Sequence, residues 1–278
     1  MAAATIDTNQ YEFIRQLVYE HSRINLGPDK TELVCARLRK RLKALSLESI
    51  GEYCELLRSP AGDDEVSDLL DAISTNVTDF FRESSHFEFL EGELLPRWTK
   101  GPRRNRAEKF KVWSAACSSG EEPYTIALVL AEYFRANGDG GWGVLGTDIS
   151  TRVLKKAEQA IYRQERLKLP SPELLRRYFQ KGVGTWDGHF RVKHALRERV
   201  EFRHLNLIEW PYPFRESFQA IFCRNVMIYF DRGTQEQLIP RLVEQLAPGG
   251  VLFVGHSESL IGIEHKLKCL RPSVYQKP

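Results

Sequence analysis

The chain is 278 residues long with 42% hydrophobic and 28% charged residues, a balance that supports one large or two modest hydrophobic cores and excludes a disordered or fibrous chain. Its net charge of +3 is too mild to mark a nucleic-acid binder. No apolar run reaches the roughly 18 residues of a membrane span, and the opening MAAATIDTNQ lacks a basic and then apolar leader, so a cytoplasmic protein is expected.

The five cysteines (Cys35, Cys54, Cys117, Cys223 and Cys269) lie far apart and form no CxxC pair, which argues against a disulfide framework and a zinc site. All five read as reduced packing residues. Over 8–23, Phe13, Ile14, Leu17 and Val18 recur at helical spacing behind a cap at Thr8 or Asn9. After the break at Gly27 and Pro28, Val34, Leu38, Leu42 and Leu45 form an apolar stripe, and Arg37, Arg39, Lys40, Arg41 and Lys43 crowd the rest of the circumference. Shorter helices over 50–57 and 66–73, separated by SPAGDD, complete a small bundle. The basic helix reads either as a solvated face or as a docking surface for an acidic partner. Nucleic acid fits poorly because the stretch has no interleaved aromatics.

The segment NVTDFFR (76–82) links the bundle to a helix capped by Ser84 or Ser85, and its arginine, anchored by two phenylalanines, is placed to present charge to a site. A basic loop over 100–111 follows. KVWSAACSSGEEPYTIALVL (111–130) then reads as a buried strand, a polar turn at Ser118, Ser119 and Gly120, and a helix from Pro123 onward. The small residues admit a ligand to the backbone, and Glu121 and Glu122 disfavour phosphate and favour hydroxyl or ammonium groups; an ordinary capped connection is the equal alternative.

Further strands are expected at 142–145, 199–204, 218–223 and 251–254, alternating with helices at 150–160 and 231–246, with the PGG run stopping the last helix. This alternation implies a doubly wound parallel sheet whose ligands sit at the carboxyl ends of the strands, where Asp148, Asn206, Arg224 and Asn225 fall. An acid at the Asp148 position suits ribose hydroxyls. Without GxGxxG, GxxxxGK[ST] or metal-spaced ligands, a nucleoside with an amino-acid tail fits better than a dinucleotide, a triphosphate or a metal. Residues 170–196, with KGVGTWDGHFRV, read as a hairpin-rich insertion whose edge either accepts a peptide as an added strand or is a structural excursion.

TNVTDFFRE, VWSAACSSGEEPYTIA, GTDIS, HLNLIE, FQAIFCRNVMIYFD and VLFVGHSES, in this order and spacing, resemble the CheR-type chemotaxis receptor methyltransferases over nearly the whole chain. The resemblance implies a class I methyltransferase α/β domain over 73–278. It has a doubly wound, mostly parallel, Rossmann-like sheet, follows a small all-α domain over 1–72, and carries a small antiparallel β insertion at about 179–200. It further implies methyl transfer from S-adenosylmethionine to receptor glutamates, with S-adenosylhomocysteine as product and no metal. Cofactor contacts are implied at Asn76, Thr78, Arg82, Glu122, Asp148, Asn206, Leu207, Arg224 and Asn225, with Arg82 and Tyr229 as catalytic residues near the methyl. Arg37, Lys40, Arg41 and Lys43 would dock the acidic cytoplasmic helices of the receptor, and the β insertion would take the receptor's carboxyl-terminal peptide. A monomer is expected, with no nucleic acid bound and no membrane insertion. Cys117 and Ser119 depart slightly from the family pattern without disturbing the cofactor assignment. A silent cofactor-binding adaptor and a nucleic-acid methyltransferase are the alternatives; the presence of Arg82 and Tyr229 opposes the first and the lack of stacking aromatics opposes the second.

Overall fold

The structure, a computed structural model, describes residues 6–101, 109–138 and 140–278. Most of the expected basic loop, 102–108, lies outside the described residues. The chain packs as two compact units, one running to Thr75 and taking in Ile228–Gln235, the other Asn76–Met227 with Glu236–Pro278. No described helix is long and apolar enough to cross a membrane.

The first unit is helical. Helix α1 (Thr8–Ser22) starts one residue earlier than its expected caps allow, because Asp7 and Gln10 form a reciprocal capping box: Gln10 N donates to Asp7 Oδ1 (2.8 Å) and Asp7 N to Gln10 Oε1 (3.1 Å). Helix α2 (Thr31–Leu45), helix α3 (Ile50–Arg58, capped by Ser49) and helix α4 (Gly62–Ile73) follow. Helix α4 absorbs the end of the SPAGDD turn. Ile14, Val18, Val34, Leu38, Ile50, Tyr53 and Leu69 fill the space between the helices. In the same unit Asn25 N donates to the Tyr229 carbonyl (2.8 Å), Tyr19 Oη donates to Asp231, and Ile24 bridges Phe230.

Two of the five α2 cations are not on the solvent face, which corrects the expectation for Arg37 and Arg41. The Arg37 guanidinium donates to the carbonyls of Ala72 (3.1 Å), Ile73 and Ser74 (2.6 Å), where the last turn of α4 leaves acceptors unpaired. Arg41 pairs with the buried Glu65 through Nε (2.8 Å) and with Asp68 (2.7 Å), and Tyr53 Oη donates to the same Glu65 carboxylate (2.7 Å). Arg39, Lys40 and Lys43 are exposed.

The second unit opens with α5 (Ser85–Phe89), a π-helical turn and α6 (Leu95–Lys100). Strands and helices then alternate: β1 (Phe110–Ala115), α7 (Glu121–Asn137), β2 (Trp142–Asp148), α8 (Thr151–Gln159), and β3 (Ile161–Arg163). Next come α9 (Pro172–Tyr178), β4 (Phe179–Lys181), β5 (His189–Val192), α10 (His194–Arg197) and β6 (Val200–His204). The chain ends with β7 (Phe218–Cys223), α11 (Arg232–Gln245), β8 (Leu246–Val254), β9 (Lys268–Arg271) and β10 (Val274–Gln276).

Among the described residues the main sheet has seven strands in the order β6-β2-β1-β7-β8-β10-β9. The first five are parallel, and β10 returns antiparallel to β8 and β9. From β1 the chain moves outward through β2 to β6, then returns to β7 on the other side of β1. The switch point is therefore the crevice between β1 and β7, at their carboxyl ends. Phe222 and Phe253 stack at 4.2 Å, and Trp113 is fully buried, donating to Thr147 Oγ1 (2.9 Å).

Three elements differ from expectation. The PGG run does not stop at the end of α11; it is carried within β8 as an irregularity, so pairing with β7 jumps from Leu246 to Val251. The small antiparallel sheet, of order β3-β5-β4, recruits Ile161–Arg163 from well before the expected insertion, because Tyr162 and Phe179 pack on Phe80 at 5.0 and 5.9 Å. Among the cysteines, all free, Cys269 is exposed on the edge strand β9 rather than packed.

Candidate active site

Six side chains expected at the site fall on the carboxyl edge of four adjacent strands or the turns that follow them. Glu122 lies in the first turn of α7, which follows β1, Asp148 ends β2, Asn206 and Leu207 follow β6, and Arg224 and Asn225 follow β7. The edge is built on strained backbone. Ala116 (φ 62°), Ser118 (φ 50°) and Gly120 (φ 94°) form the β1–α7 turn, Phe81 (φ 55°) and Glu83 (φ 58°) the incoming segment, and Asn225 (φ 57°) the turn after β7. A Cβ at Gly120 would stand 2.8 Å from the Ala157 Cβ and 2.9 Å from Tyr162 Oη, so only glycine lets the turn close onto α8.

Asp148 is buried and ties the edge together. Its Oδ2 accepts from Ser118 N (2.8 Å), its Oδ1 from Ser150 N (2.9 Å), and its carbonyl from Leu205 N (3.0 Å), which brings the β6 end alongside. Asn206 Nδ2 donates to Glu209 (3.2 Å), and the Leu207 carbonyl accepts from Tyr212 Oη (2.7 Å).

Arg224 sits between two carboxylates. Its Nη1 is 3.2 Å from Glu122 and its Nη2 is 3.1 Å from Glu83, and it also donates to the Arg82 carbonyl. Phe87 and Phe222 flank the guanidinium at 5.4 and 6.0 Å. Burial pushes the Glu122 carboxyl above its ordinary range, opposed by the Arg224 charge and a hydrogen bond from Ser114 Oγ (2.6 Å). Burial also raises Glu83, but there the Arg224 charge and donors from Asn225 and His256 prevail and hold it below the ordinary range. Glu121, expected to face the ligand with Glu122, is instead held by Ser119 Oγ (2.6 Å) and Arg166 (3.1 Å).

The NVTDFFR segment is pinned over this edge. Ser118 Oγ donates to the Asn76 carbonyl (3.2 Å), Arg166 to the Thr78 carbonyl (2.6 Å), and Phe81 N to Thr125 Oγ1 (3.2 Å). Arg82 is exposed and its Nη1 donates to the Val77 carbonyl (3.0 Å). The buried Nδ2 of Asn76 has no hydrogen-bond partner among the described residues. An orphaned donor beside a glycine-closed turn and a buried acid suits a bound nucleoside with a polar tail.

Residues 76–275 match the family model for the CheR methyltransferase SAM binding domain, and residues 9–74 match that for the CheR methyltransferase all-alpha domain. The chain belongs to the CheR methyltransferase family. A chemotaxis protein methyltransferase of Escherichia coli (strain K12) is 42% identical over 262 residues, covering 94% of this chain and 88% of the relative. That of Borreliella burgdorferi is 39% identical over 264 residues, covering 94% and 92%, and chemotaxis protein methyltransferase 2 of Pseudomonas aeruginosa is 40% identical over 266 residues, covering 95% and 91%. This CheR protein therefore carries a SAM-binding methyltransferase domain, and the carboxyl edge described above lies within it.

Tyr229 belongs to the helical unit, on the 3-10 turn Met227–Tyr229, half-buried. Two groups escaped the sequence reading. Glu258 accepts backbone N–H groups at the ends of β7 and β8. Glu83, His86 and His256 also gather within 4.8 Å of one another. The Glu83 oxygens in that group already accept from Arg224, Asn225 and the His256 amide, and the Arg224 charge 3.1 Å away opposes a cation.

Proposed function

We propose that this CheR protein methylates glutamate side chains in the cytoplasmic helical region of chemoreceptors, using S-adenosylmethionine and releasing S-adenosylhomocysteine, and so acts in the cytoplasm in adaptation. The observation that carries this assignment is the convergence of Asn76, Glu122, Asp148, Asn206, Arg224 and Asn225 on one carboxyl edge at the switch between β1 and β7. The name borne by the relatives, chemotaxis protein methyltransferase, supports the same substrate class.

The cofactor supplies a methyl group on a cationic sulfonium. A glutamate has an ordinary pKa of about 4.3, so the acceptor is already ionised at neutral pH and the site needs alignment rather than a general base. Asp148 is assigned to the ribose hydroxyls, Glu122 and Arg224 to the charged ends of the amino-acid tail, and Asn76, Thr78, Asn206, Leu207 and Asn225 to the remaining polar contacts. Arg82 is exposed and bonded to a neutral carbonyl that a carboxylate readily replaces, and it is assigned to the incoming glutamate. Tyr229 is assigned to steering the methyl or carboxylate on the strength of its motif, FQAIFCRNVMIYFD.

For receptor docking, the exposed Lys40 and Lys43 are assigned to the acidic helices, with Arg37 and Arg41 stiffening the unit that presents them. For the receptor tail, β4 is an edge of the small sheet and Val183 (81% exposed) and Trp186 (54%) follow it, a surface suited to strand addition.

Calorimetry with S-adenosylhomocysteine tests the cofactor assignment. Asn76→Ala should weaken binding about tenfold without lowering the thermal midpoint, because it removes a donor that has no partner among the described residues. Unchanged affinity in that variant would contradict the assignment.

A further inference from the structure

The carboxyl ends of β7 and β8 meet over an acid that no cofactor assignment uses. Glu258 is 8% exposed, and its carboxylate accepts three backbone N–H groups: Oε2 from Gly255 (2.6 Å) and Asn225 (2.9 Å), Oε1 from Met227 (2.8 Å). Charge-assisted bonds of this kind are about twice as strong as neutral ones. They hold the backbone of Asn225 at φ 57°, in the left-handed region that asparagine enters more readily than other non-glycine residues.

Gly255 makes the clamp possible. A Cβ there would fall 2.6 Å from Asn225 Nδ2, 2.8 Å from Glu258 Oε2 and 3.0 Å from Asn225 N, so the β8 end approaches the β7 end as closely as glycine allows. The Asn225 side chain is tied from another direction, its Nδ2 donating to Glu83 Oε1 (3.3 Å). Asn225 is therefore held by its amide from Glu258 and by its side chain from Glu83, while the adjacent Arg224 spans Glu83 and Glu122.

We infer that Glu258 is a positioning residue for the cofactor site, holding Asn225 in the left-handed conformation that sets Arg224 between Glu83 and Glu122. This rests on the assignment of Arg224 and Asn225 to the cofactor. Glu258→Gln keeps the shape but loses the charge, and its amide NH2 cannot accept from a backbone N–H, so at least one of the three bonds is lost.

The test uses the full chain, as wild type and as Glu258→Gln. Without ligand, amide exchange at Asn225, Met227 and Gly255 should speed up at least about tenfold in Glu258→Gln while β1 amides keep their protection. Affinity for S-adenosylhomocysteine should fall about tenfold in Glu258→Gln, the loss expected for one charge-assisted bond. Unchanged exchange at the three amides, or wild-type affinity in Glu258→Gln, would each overturn the inference. Failure of the wild type to bind would instead sink the cofactor assignment, and the ligand-free exchange would still decide the clamp.

Discussion

Arg224 and Glu122 pair at 3.2 Å between the end of β7 and the first turn of α7, with the arginine side chain only 2% exposed. The same guanidinium holds Glu83 at 3.1 Å, so one buried cation balances two carboxylates. Removing it leaves both uncompensated, and Arg224→Met should cost about 3–5 kcal/mol in urea denaturation at pH 7. Acidification toward pH 5 should restore part of the loss. Glu122, raised above its ordinary range, binds its proton more readily in the folded state, so its contribution improves as pH falls.

Arg82 presents the opposite case. It is exposed and bonded to the Val77 carbonyl, so Arg82→Ala should change stability by less than about 0.5 kcal/mol. Its turnover on receptor fragments should nonetheless fall about 100-fold, the usual scale for losing one positioned electrostatic contact. Steady-state kinetics beside a denaturation curve measures both.

The α2 cations divide by role. Arg37→Ala should cost about 1–3 kcal/mol, since the carbonyls of Ala72, Ile73 and Ser74 lose their donor. Lys40→Glu combined with Lys43→Glu should raise the KM for receptor fragments and leave both the thermal midpoint and S-adenosylhomocysteine affinity unchanged. An equal fall in cofactor affinity would remove α2 from receptor docking.

Stability should respond to His86. Burial and then the Arg224 charge push its pKa from 6.5 down to about 3, and neither ring nitrogen has a hydrogen-bond partner among the described residues. The unfolded chain takes up a proton below about 6.5 while the folded one does not. Stability from this group is therefore complete above that pH and declines as pH falls toward 3, with a limiting slope of about 1.4 kcal/mol per pH unit. His86→Phe should flatten the stability profile between pH 6.5 and 5, measured by urea denaturation at several pH values.

The strands β1, β2 and β7 were legible because each is a short, largely apolar run leading into the polar residues that build the edge, whereas β6 shows only as Val200 and Phe202 alternating with polar residues. Strands β9 and β10 were missed. KCLR lies on the sheet edge with little burial and VYQ is three residues long, so neither has an apolar pattern to detect, although the Pro272 and Ser273 turn between them was a usable signal. On α2 the helical period held the answer: at about 100° per residue, Arg37 and Arg41 lie together on one side of the buried Leu38 while Lys40 and Lys43 fall on the far side. A charge run read as a block hides that division. Glu258 and Glu83 were invisible because their partners are backbone amides and an arginine distant in sequence, which no local pattern encodes.

Incubation with S-adenosylmethionine labelled in the methyl group, with acidic helical receptor fragments as acceptor, tests the central claim most directly. Wild type should deposit label that alkali releases, as expected of a glutamate methyl ester, and Arg82→Ala should deposit about 100-fold less in the same time. Alkali-stable label, or none on any receptor fragment from protein that binds S-adenosylhomocysteine, would contradict it.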